Sequence, residues 1–466
     1  MYTAYITKIK NIRLHPNADR LNLGECFGNT VVISKEYDEE TLYIYFPTDG
    51  QLSEEYATIN NLVRKKDENG NNIGGYLDPN KRNVCAVRLR GEKSDGLVMP
   101  LSSLEYTGVD LSTLQEGMVV HMLNGHEICC KYIPRTNTRV GQPTDGNRTR
   151  KKKVAIAPLF AEHADTEQLA YNLGSFRPND QIEVTLKMHG TSQRTGYLPV
   201  FKKFKKTLWD YLLRKDGTPI YEYDYITGTR RTVLENYDGG FYGGNEFRET
   251  HSKVFEGKLH KGESVYYEVV GFTNTGTPIM GSSSNAKLND KDFVKQYGDT
   301  TVFSYGCEPT GKKMMYGIDE NGDKFGIEQD APQSAMYVYR MILTTEEGHV
   351  VEYSPDYMRY RCEQMGIKTV PVFEKFYIPN EEELNTLGIS AGEYVKEIVN
   401  KYLNTEPDPI GKTHIKEGVV VRIINRPKFA AYKDKVFEFK VIEGLIKSAA
   451  SAPDIEEAED ILDKDN

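Results

Sequence analysis

Short runs of apolar residues, separated by loops rich in Asn, Gly and Asp, characterise the first 134 residues of the chain. The clearest runs are TLYIYFP (41–47), VCAVRLRG (84–91), GLVMPL (96–101) and MVVHML (118–123). Strands of this length at this spacing are typical of a small β-barrel. The hydrophobic pattern therefore predicts an N-terminal barrel domain over residues 1–134.

Residues 154–450 carry longer strand patterns and few helical ones. The predicted strands lie in QIEVTLKMHG (181–190), ESVYYEVVGF (263–272), TVFSYG (301–306), MYVYRMIL (336–343), EGVVVRII (417–424) and VFEFKVI (436–442). The best helical pattern covers residues 381–404. This distribution predicts a second, α+β domain that is built on antiparallel sheets.

Two charged segments flank the second domain. Residues 135–153 hold seven basic side chains against Asp145 alone, a net charge of +6, and have almost no apolar residues. Residues 451–466 hold seven acidic side chains against Lys464, a net charge of −6. We expect a basic linker and an acidic tail that folds only weakly, if at all.

Length and composition limit the class of protein. A chain of 466 residues is long enough for two or three domains. Its mean hydropathy is −0.57, and no stretch approaches the roughly 18 apolar residues of a membrane helix. Its N-terminus lacks the apolar core of a secretion signal, so we expect a folded cytoplasmic protein, and a monomer. The six cysteines form no CxxC pair, which argues against a zinc site or disulfide framework.

The net charge of −9, taken alone, argues against a polyanionic ligand such as nucleic acid. The charges are unevenly distributed, however, because the basic linker is offset by the acidic tail. An attraction to nucleic acid would therefore have to be local, at the linker and at other basic segments.

Candidate chemistry begins at Lys187, which ends a predicted strand and is followed by the turn Met-His-Gly. A lysine held at the end of a strand can act as a covalent nucleophile, although an exposed lysine in a hairpin turn is the alternative. Glu268, Glu417 and Lys440 also lie in otherwise apolar strands. Such charges are unfavourable unless they are paired or bind a ligand or metal, or lie on an exposed strand face.

The order of these motifs resembles that of the covalent nucleotidyltransferases, which include ATP-dependent polynucleotide ligases and mRNA-capping guanylyltransferases. The matching segments are KMHG, EVVG, an aromatic strand, EGVVVR and FKVI, and the resemblance covers about residues 154–442. The motif K-x-H-G has histidine where most members have aspartate, and in this respect it resembles the motif of the Deinococcus-type, nick-sealing RNA ligases. LHPNADRL (14–21), CAVRLRGEKSDGLVMPL (85–101) and FAEHADTEQL (160–169) also resemble segments of that family.

The resemblance implies an OB-like nucleic-acid-binding domain (1–134), the basic linker, a nucleotidyltransferase domain (154–450) and the tail. It also implies an ATP-dependent RNA ligase that uses Mg²⁺ or Mn²⁺. A lysyl-AMP intermediate would transfer AMP to a 5′-phosphate end, and a 3′-OH would then attack that end and displace the AMP. The substrates would be nicks in RNA-containing duplexes. Only 26 residues follow Lys440, so we expect no C-terminal OB domain of the kind that DNA ligases carry.

The resemblance also assigns roles to residues. Lys187 would be the nucleophile and Lys440 the cation on the α-phosphate. Glu268 would contact the ribose, and Glu417, with Glu268, would belong to the metal site. The other predicted ATP-binding residues are His189, Gly190, Arg194, Arg230 or Arg231, and Tyr337 or Tyr339, either of which could stack on adenine because alternate strand positions share a face.

Two departures from the family pattern affect these assignments. Glu438 stands where many relatives have the first lysine of a K-x-K motif, so that cation is either missing or supplied by Lys433 or Lys435. His189 stands where most members have aspartate, so we expect it to form a hydrogen bond rather than to contact a metal-bound water.

The segment FKKFKKTLWDYLLRK (201–215) combines basic and aromatic residues. It would suit a nucleic-acid backbone with stacked bases, or equally an amphipathic helix with a solvated basic face. Two other functions also stay open: a guanylyltransferase, and a non-catalytic RNA-binding protein with a degenerate lysine site.

Overall fold

The computed structural model describes residues 2–66, 72–75, 77–133, 155–213, 215, 217–234, 236–237, 242, 245–308, 312–330 and 333–448. The predicted basic linker and acidic tail lie outside these ranges. The chain divides into two compact units. The first unit comprises residues 1–135, 284–299 and 436–449, and the second comprises the remainder. The second and third segments of the first unit thus lie inside the predicted nucleotidyltransferase range, whose function stays a prediction.

The first unit is built mainly from short antiparallel strands. Their bounds are β1 Ala4–Lys8, β2 Lys10–Leu14, β3 Leu21–Cys26, β4 Asn29–Ser34, β5 Leu42–Phe46, β6 Gly50–Leu52, β7 Arg64–Lys66, β8 Asn72–Gly74, β9 Asn83–Val84, β10 Ala86–Leu89, β11 Glu92–Asp95, β12 Leu97–Pro100, β13 Val119–Val120, β14 Met122–Leu123, β15 His126–Glu127 and β16 Cys129–Lys131. The largest sheet has the order β12-β5-β1-β13, and others have the orders β2-β3-β4 and β16-β6-β9. The described strands thus form separate small sheets, and a closed OB-like barrel stays a prediction.

Among its described residues, the first unit has three α-helices: α1 Glu54–Ile59, α4 Lys291–Tyr297 and α8 Phe437–Ser448. Helix α1 is capped by Ser53, whose side chain accepts a hydrogen bond from Tyr56 N. Its residues Tyr56 and Ala57 pack into a core with Ile6 and Ile44 of the main sheet.

Helix α8 shows that one strand prediction is wrong. VFEFKVI alternates like a strand, but residues 437–442 are helical. The fully buried side chains are Val436, Phe439 and Ile442, which recur every three residues, as on one face of a helix. Lys440 therefore lies on a helix of the first unit and not in a strand.

The second unit contains two five-stranded sheets, and its strands are longer. Their bounds are β17 Glu167–Gln168, β18 Gln181–Lys187, β19 Thr191–Lys205, β20 Thr218–Gly228, β21 Glu263–Gly271, β22 Ser283–Ser284, β23 Thr300–Thr301, β24 Lys312–Ile318, β25 Lys324–Asp330, β26 Ser334–Thr344, β27 Val350–Glu352, β28 Val372–Tyr377, β29 Gly418–Ile423 and β30 Ala430–Lys435, with β22 at the boundary between the units. One sheet has the order β17-β30-β29-β18-β28 and the other β20-β19-β21-β26-β27. Except for the β17–β30 pair, both sheets are antiparallel, as predicted.

In the ranges of the second unit that the structure describes, five α-helices accompany these sheets: α2 Leu208–Leu212, α3 Glu246–Lys253, α5 Pro355–Met365, α6 Glu381–Leu387 and α7 Ala391–Asn400. The predicted single helix over 381–404 is thus two helices. Gly388, with a φ of 70°, ends α6, and capping boxes at Asn380 and Ser390 begin α6 and α7. Apolar residues of both helices pack against β18 and β29.

The structure confirms a mixed α+β protein with mostly antiparallel sheets. In the part of the chain that it describes, no helix is both long and apolar enough to cross a membrane. The same residues include all six cysteines, and each is a free thiol.

Candidate functional site

The turn that follows Lys187 joins the two sheets of the second unit. Lys187 is the last residue of β18, and Thr191 is the first residue of β19. Gly190 lies between them where the backbone passes very close to β21, since a Cβ at this position would lie 2.4 Å from the carbonyl oxygen of Val269. The turn therefore requires glycine, and it holds the Lys187 backbone at the point where the chain passes from one sheet to the other.

Glu417 is the centre of a buried cluster of charges beside this turn. Its Oε1 lies 2.9 Å from Lys187 Nζ and 3.1 Å from Lys435 Nζ. The residue is only 2% exposed, and although burial alone would raise its pKa, the Lys187 and Lys435 ammoniums lower it below the ordinary range. Glu417 is thus held as a carboxylate, and it positions the Lys187 side chain.

The second oxygen of this carboxylate, Oε2, faces His189. The distance to His189 Nδ1 is 3.6 Å, which is too long for a hydrogen bond. Among the described residues, Oε2 is a buried oxygen without a hydrogen-bond partner. A buried carboxylate oxygen in this state is suited to a cation or to a bound water.

Glu268 lies on β21, directly across from Ser192 on β19. It is buried, and its Oε2 accepts a hydrogen bond of 3.2 Å from the Ser192 hydroxyl. Both residues line the same cleft as Lys187. The structure therefore brings together Lys187, Glu268 and Glu417, as the sequence predicts.

Of the two candidate tyrosines, Tyr339 lies at a β-bulge in β26, and Tyr337 lies in the regularly paired part of the strand. Tyr266 pairs with Arg340 and Tyr267 with Val338, so Tyr339 is the extra residue of the pairing. The bulge interrupts the alternation of side chains along the strand, so the two tyrosines are no longer interchangeable as candidates for stacking on adenine. Tyr339 lines the cleft, whereas Tyr337 is buried beneath the Lys368 ammonium, 5.9 Å from its ring centroid.

The structure gives Arg194 a different environment from the predicted phosphate contact. Its guanidinium is 1% exposed and donates hydrogen bonds to the backbone carbonyls of Thr229, Phe160 and Ala161. It also stacks on the Phe160 ring at 4.2 Å. These contacts fix the segment before β17 to β19 and β20, so we interpret Arg194 as a structural residue.

Arg230 does line the cleft, where it forms a salt bridge with Asp165. Arg231 contacts the other oxygen of the same carboxylate at 3.1 Å. The neighbouring His163 lies edge-on to Tyr339, and its burial lowers its pKa to about 3, so the ring is neutral at pH 7. Asp165 and His163 both come from the FAEHADTEQL segment, which therefore forms part of the cleft wall.

Lys440 is not one of the residues that line this cleft, all of which belong to the second unit. Its Nζ lies 2.5 Å from Asp95 Oδ2 in the first unit. Two basic residues of β30 lie at this site, because Lys433 lines the cleft and Lys435 contacts Glu417. They lie two residues apart on one strand, in Lys433-Asp434-Lys435, and this spacing is the sequence signal that points to them.

The cleft combines these side chains with apolar ones. Its lining includes Lys187, Ser192, Arg230, Glu268, Tyr339, Lys433, Met358, Val420 and Phe429. Within the described ranges, no group of three or more His, Cys, Asp or Glu side chains could bind a metal ion unaided. The arrangement therefore offers a lysine nucleophile, two carboxylates, several cations and an aromatic ring at one site.

No protein-family model and no curated protein sequence matches the chain. Solved structures of a Naegleria gruberi RNA ligase do match. A lysine-to-methionine variant with AMP and Mn has a TM-score of 0.52 at 15% identity over 94% of this chain and 97% of that chain. An apo aspartate-to-alanine variant gives 0.51 at 15% identity over 94% and 96%, and the form with PPi gives 0.50 at 14% over 93% and 96%. At this identity the likeness shows a shared fold.

Proposed function

We propose that this chain is an ATP-dependent RNA ligase that joins a 3′-OH end to a 5′-phosphate end, at nicks in RNA-containing duplexes. The observation that carries the proposal is the contact of Lys187 with the buried Glu417, beside a cleft that also holds Glu268, Tyr339 and Lys433. The fold shared with an RNA ligase that was solved with AMP and Mn supports the same proposal. Sequence resemblance to the Deinococcus-type ligases supports the finer assignment to nick sealing.

The proposed reaction has three balanced steps. The Lys187 amine attacks the α-phosphorus of ATP, so that an N–P bond forms, the bond to pyrophosphate breaks and the amine loses a proton. A 5′-phosphate oxygen then attacks the same phosphorus, and the N–P bond breaks to regenerate the lysine. Finally a 3′-OH attacks the activated 5′-phosphate and loses its proton, while AMP leaves.

Cations lower the barrier of the first step by opposing the negative charge that develops on the phosphates. Lys433 and Lys435 lie two residues apart on β30, and we assign them to the α-phosphate and to the support of Glu417, respectively. Arg230, which lines the cleft, would make a second phosphate contact, and for this it would have to leave Asp165 in part. Tyr339 would stack on adenine, Glu268 would bind the ribose, and His189 would donate a hydrogen bond near the α-phosphate.

The residues present fit a divalent cation. Mg²⁺ is usually held by one or two carboxylates together with substrate phosphates and waters, rather than by a complete protein cage. Glu417 Oε2 is a buried carboxylate oxygen that lacks a hydrogen-bond partner among the described residues, and Glu268 is the second carboxylate. A bound Mg²⁺ or Mn²⁺ would add positive charge at the phosphates.

Nucleic acid is the proposed partner. We assign the first unit, with its predicted OB-like sheet region, and the basic linker to binding of the duplex, because the linker carries a net charge of +6 in a chain whose net charge is −9. Attraction to phosphates must then be local, and it should weaken as salt rises.

The test is covalent labelling with α-labelled ATP and Mg²⁺ or Mn²⁺, followed by denaturation and gel analysis. The wild-type chain should form an acid-labile adduct. Lys187→Ala should form none, while Lys401→Ala, a change at an exposed lysine, should label like wild type. Labelling of Lys187→Ala would refute the proposal.

Two other outcomes identify the competing functions. An adduct with GTP but not with ATP would indicate a guanylyltransferase. A folded protein that forms no adduct with either nucleotide but binds RNA would indicate a non-catalytic RNA-binding protein. If the ATP adduct forms, nicked duplexes with RNA or DNA on each side of the nick then define the substrate.

A further inference from the structure

Tyr305 has a backbone conformation that bulky residues seldom adopt. It follows β23 in a stretch that the sequence predicts to be a strand, yet its φ is +50°, in the left-handed region, and Gly306 follows with a φ of +74°. Strained backbone of this kind persists only when the surroundings impose it, and it is concentrated at functional sites. The conformation therefore needs a reason, and the Tyr305 side chain supplies one.

The Tyr305 hydroxyl accepts a hydrogen bond of 2.6 Å from the backbone N–H of His189. His189 is the central residue of the turn that connects Lys187 to β19. The tyrosine is 3% exposed, and burial raises the pKa of its hydroxyl well above the ordinary value, so it is a neutral phenol. This contact is a direct support for the backbone two residues after the proposed nucleophile.

The ring of Tyr305 is itself held in place. It lies edge-on to His414, with the ring centroids 4.6 Å apart. Phe303 contacts both His414, at 5.1 Å, and the His189 ring, at 4.6 Å, between centroids. The four aromatic rings thus form one buried cluster beneath the turn.

The loop that carries His414 is closed by Asp408. Oδ1 of Asp408 accepts hydrogen bonds of 2.8 Å from both Ile410 N and Gly411 N, and Asp408 N donates one of 2.8 Å to His414 O. Asp408 and His414 are both fully buried. A closed, buried loop of this kind gives the Tyr305 ring a rigid support.

We propose that Tyr305 is a positioning residue for nucleotidyl transfer: its hydroxyl fixes the turn from Lys187 to Gly190, and thereby the direction of the Lys187 amine. The inference rests on the proposed function of Lys187. Purely structural packing would require the ring of Tyr305 but not its hydroxyl, because the ring makes the contacts with the aromatic cluster. Loss of the hydroxyl should therefore affect the rate of lysyl-AMP formation more than it affects ATP binding or stability.

The experiment compares Tyr305→Phe with Tyr402→Phe. Tyr402 is a matched control because its hydroxyl also makes an internal hydrogen bond, which it donates to Glu374 Oε2 at 2.7 Å, and neither residue lines the cleft. For each variant we would measure the single-turnover rate of lysyl-AMP formation at saturating ATP, and the thermal midpoint. ATP affinity would be measured with each substitution combined with Lys187→Ala.

We expect Tyr305→Phe to reduce the single-turnover rate at least tenfold, with a change in ATP affinity below threefold. Tyr402→Phe should leave the rate within twofold of wild type. Equal rates for the two variants, or a loss in Tyr305→Phe that is entirely a loss of ATP affinity, would overturn the inference. If wild type formed no lysyl-AMP, the proposed function would fail, and this result is distinct from equal rates in two active variants.

Replacement of Tyr305 by 3,5-difluorotyrosine covers the case in which Tyr305→Phe does not fold. This residue keeps the ring and the hydroxyl but makes the oxygen a weaker acceptor for the His189 N–H. A rate reduced threefold or more, with an unchanged thermal midpoint, would support the inference. An unchanged rate would contradict it.

Discussion

The ammonium of Lys435 lies 3.1 Å from Oε1 of Glu417, the same oxygen that contacts Lys187 at 2.9 Å. Two lysines that share one carboxylate oxygen are both positioned by it. The pair also explains why Glu417 is stable as a buried anion. Strand β30 therefore contributes two lysines: Lys435 contacts Glu417, and Lys433 lines the cleft.

We predict that Lys433→Ala and Lys435→Ala each reduce lysyl-AMP formation by about 10²-fold, the usual loss when one charge-stabilising group is removed from a site. Lys440→Ala should leave this rate per folded molecule nearly unchanged. It should lower stability instead, because it leaves the buried Asp95 carboxylate without its ammonium partner. A large rate loss in a fully folded Lys440→Ala protein would restore Lys440 as the catalytic cation.

The bulge in β26 leads to a prediction about nucleotide binding. Tyr339→Leu should weaken ATP binding by roughly 1–3 kcal/mol, the range for loss of one aromatic stacking contact with a base. Tyr337→Leu should mainly lower the thermal midpoint, because this ring is buried outside the cleft lining. Calorimetric titration of ATP into each variant, in the Lys187→Ala background, distinguishes them. A larger loss of affinity in Tyr337→Leu would reverse the assignment.

Arg194 should behave as a structural residue. Arg194→Lys cannot reproduce the planar donor set that reaches three backbone carbonyls, so we expect a loss of about 2–3 kcal/mol in the free energy of unfolding. Arg230→Lys, a change at the edge of the cleft, should cost less than about 1 kcal/mol. Urea denaturation of both variants tests the contrast. If Arg194→Lys unfolded like wild type but lost ATP binding, the predicted phosphate contact would be correct.

Glu263 gives a prediction about pH. Arg361 donates two hydrogen bonds to this buried carboxylate, at 3.0 and 2.8 Å, and Tyr353 and His260 donate two more. Although burial raises the pKa of Glu263, these contacts lower it overall. The stabilisation is therefore complete above the unfolded carboxyl pKa of about 4.3 and is lost as the pH falls through the lower folded value.

We expect Glu263→Gln to destabilise the protein by about 3–5 kcal/mol near neutral pH, because Arg361 keeps a buried charge without its partner. The difference from wild type should shrink in acid below about pH 4. Urea denaturation at several pH values measures this, with the half-buried Glu374→Gln as a control. A difference that did not depend on pH would show that shape, rather than charge, explains the loss.

The basic and aromatic segment 201–215 leads to a prediction about RNA binding. Lys203, Lys205 and Lys206 are exposed near the end of β19, and the adjoining helix α2 exposes 70% of Trp209. If RNA binds here, neutralising Lys202, Lys203, Lys205 and Lys206 should reduce the slope of log affinity against log salt by about 2–4. Trp209→Ala should weaken binding while it leaves the slope unchanged. An unchanged slope in the lysine variant would place the RNA elsewhere.

The main site residues could be selected from the sequence because each one lies within, or directly beside the end of, an apolar strand. Lys187 closes β18, Glu417 immediately precedes β29, and Glu268 lies within β21. A strand pattern fixes the face of a residue and its order in the chain, and the pairing of β18 with β29 then brings Lys187 next to Glu417.

Other parts of the site depend on contacts that a local pattern does not contain. The bulge at Tyr339 separates it from Tyr337, although both fit the same alternation. VFEFKVI fits a strand and a helix equally well over seven residues, so Lys440 was placed in the wrong element. The support of His189 by Tyr305 joins residues that are 116 positions apart, and the sequence around Tyr305 predicts a strand rather than a left-handed turn.

The composition of the first unit has a consequence for biosynthesis. Arg88 pairs with Asp290 and with Glu438, and Asp95 pairs with Lys440. Charged side chains in residues 1–135 therefore find their ion-pair partners in segments that are synthesised much later. Domains usually fold in the order in which they leave the ribosome. Here the first unit to emerge would be the last to be finished, and a fragment that ends near residue 135 would expose charges that the full chain neutralises.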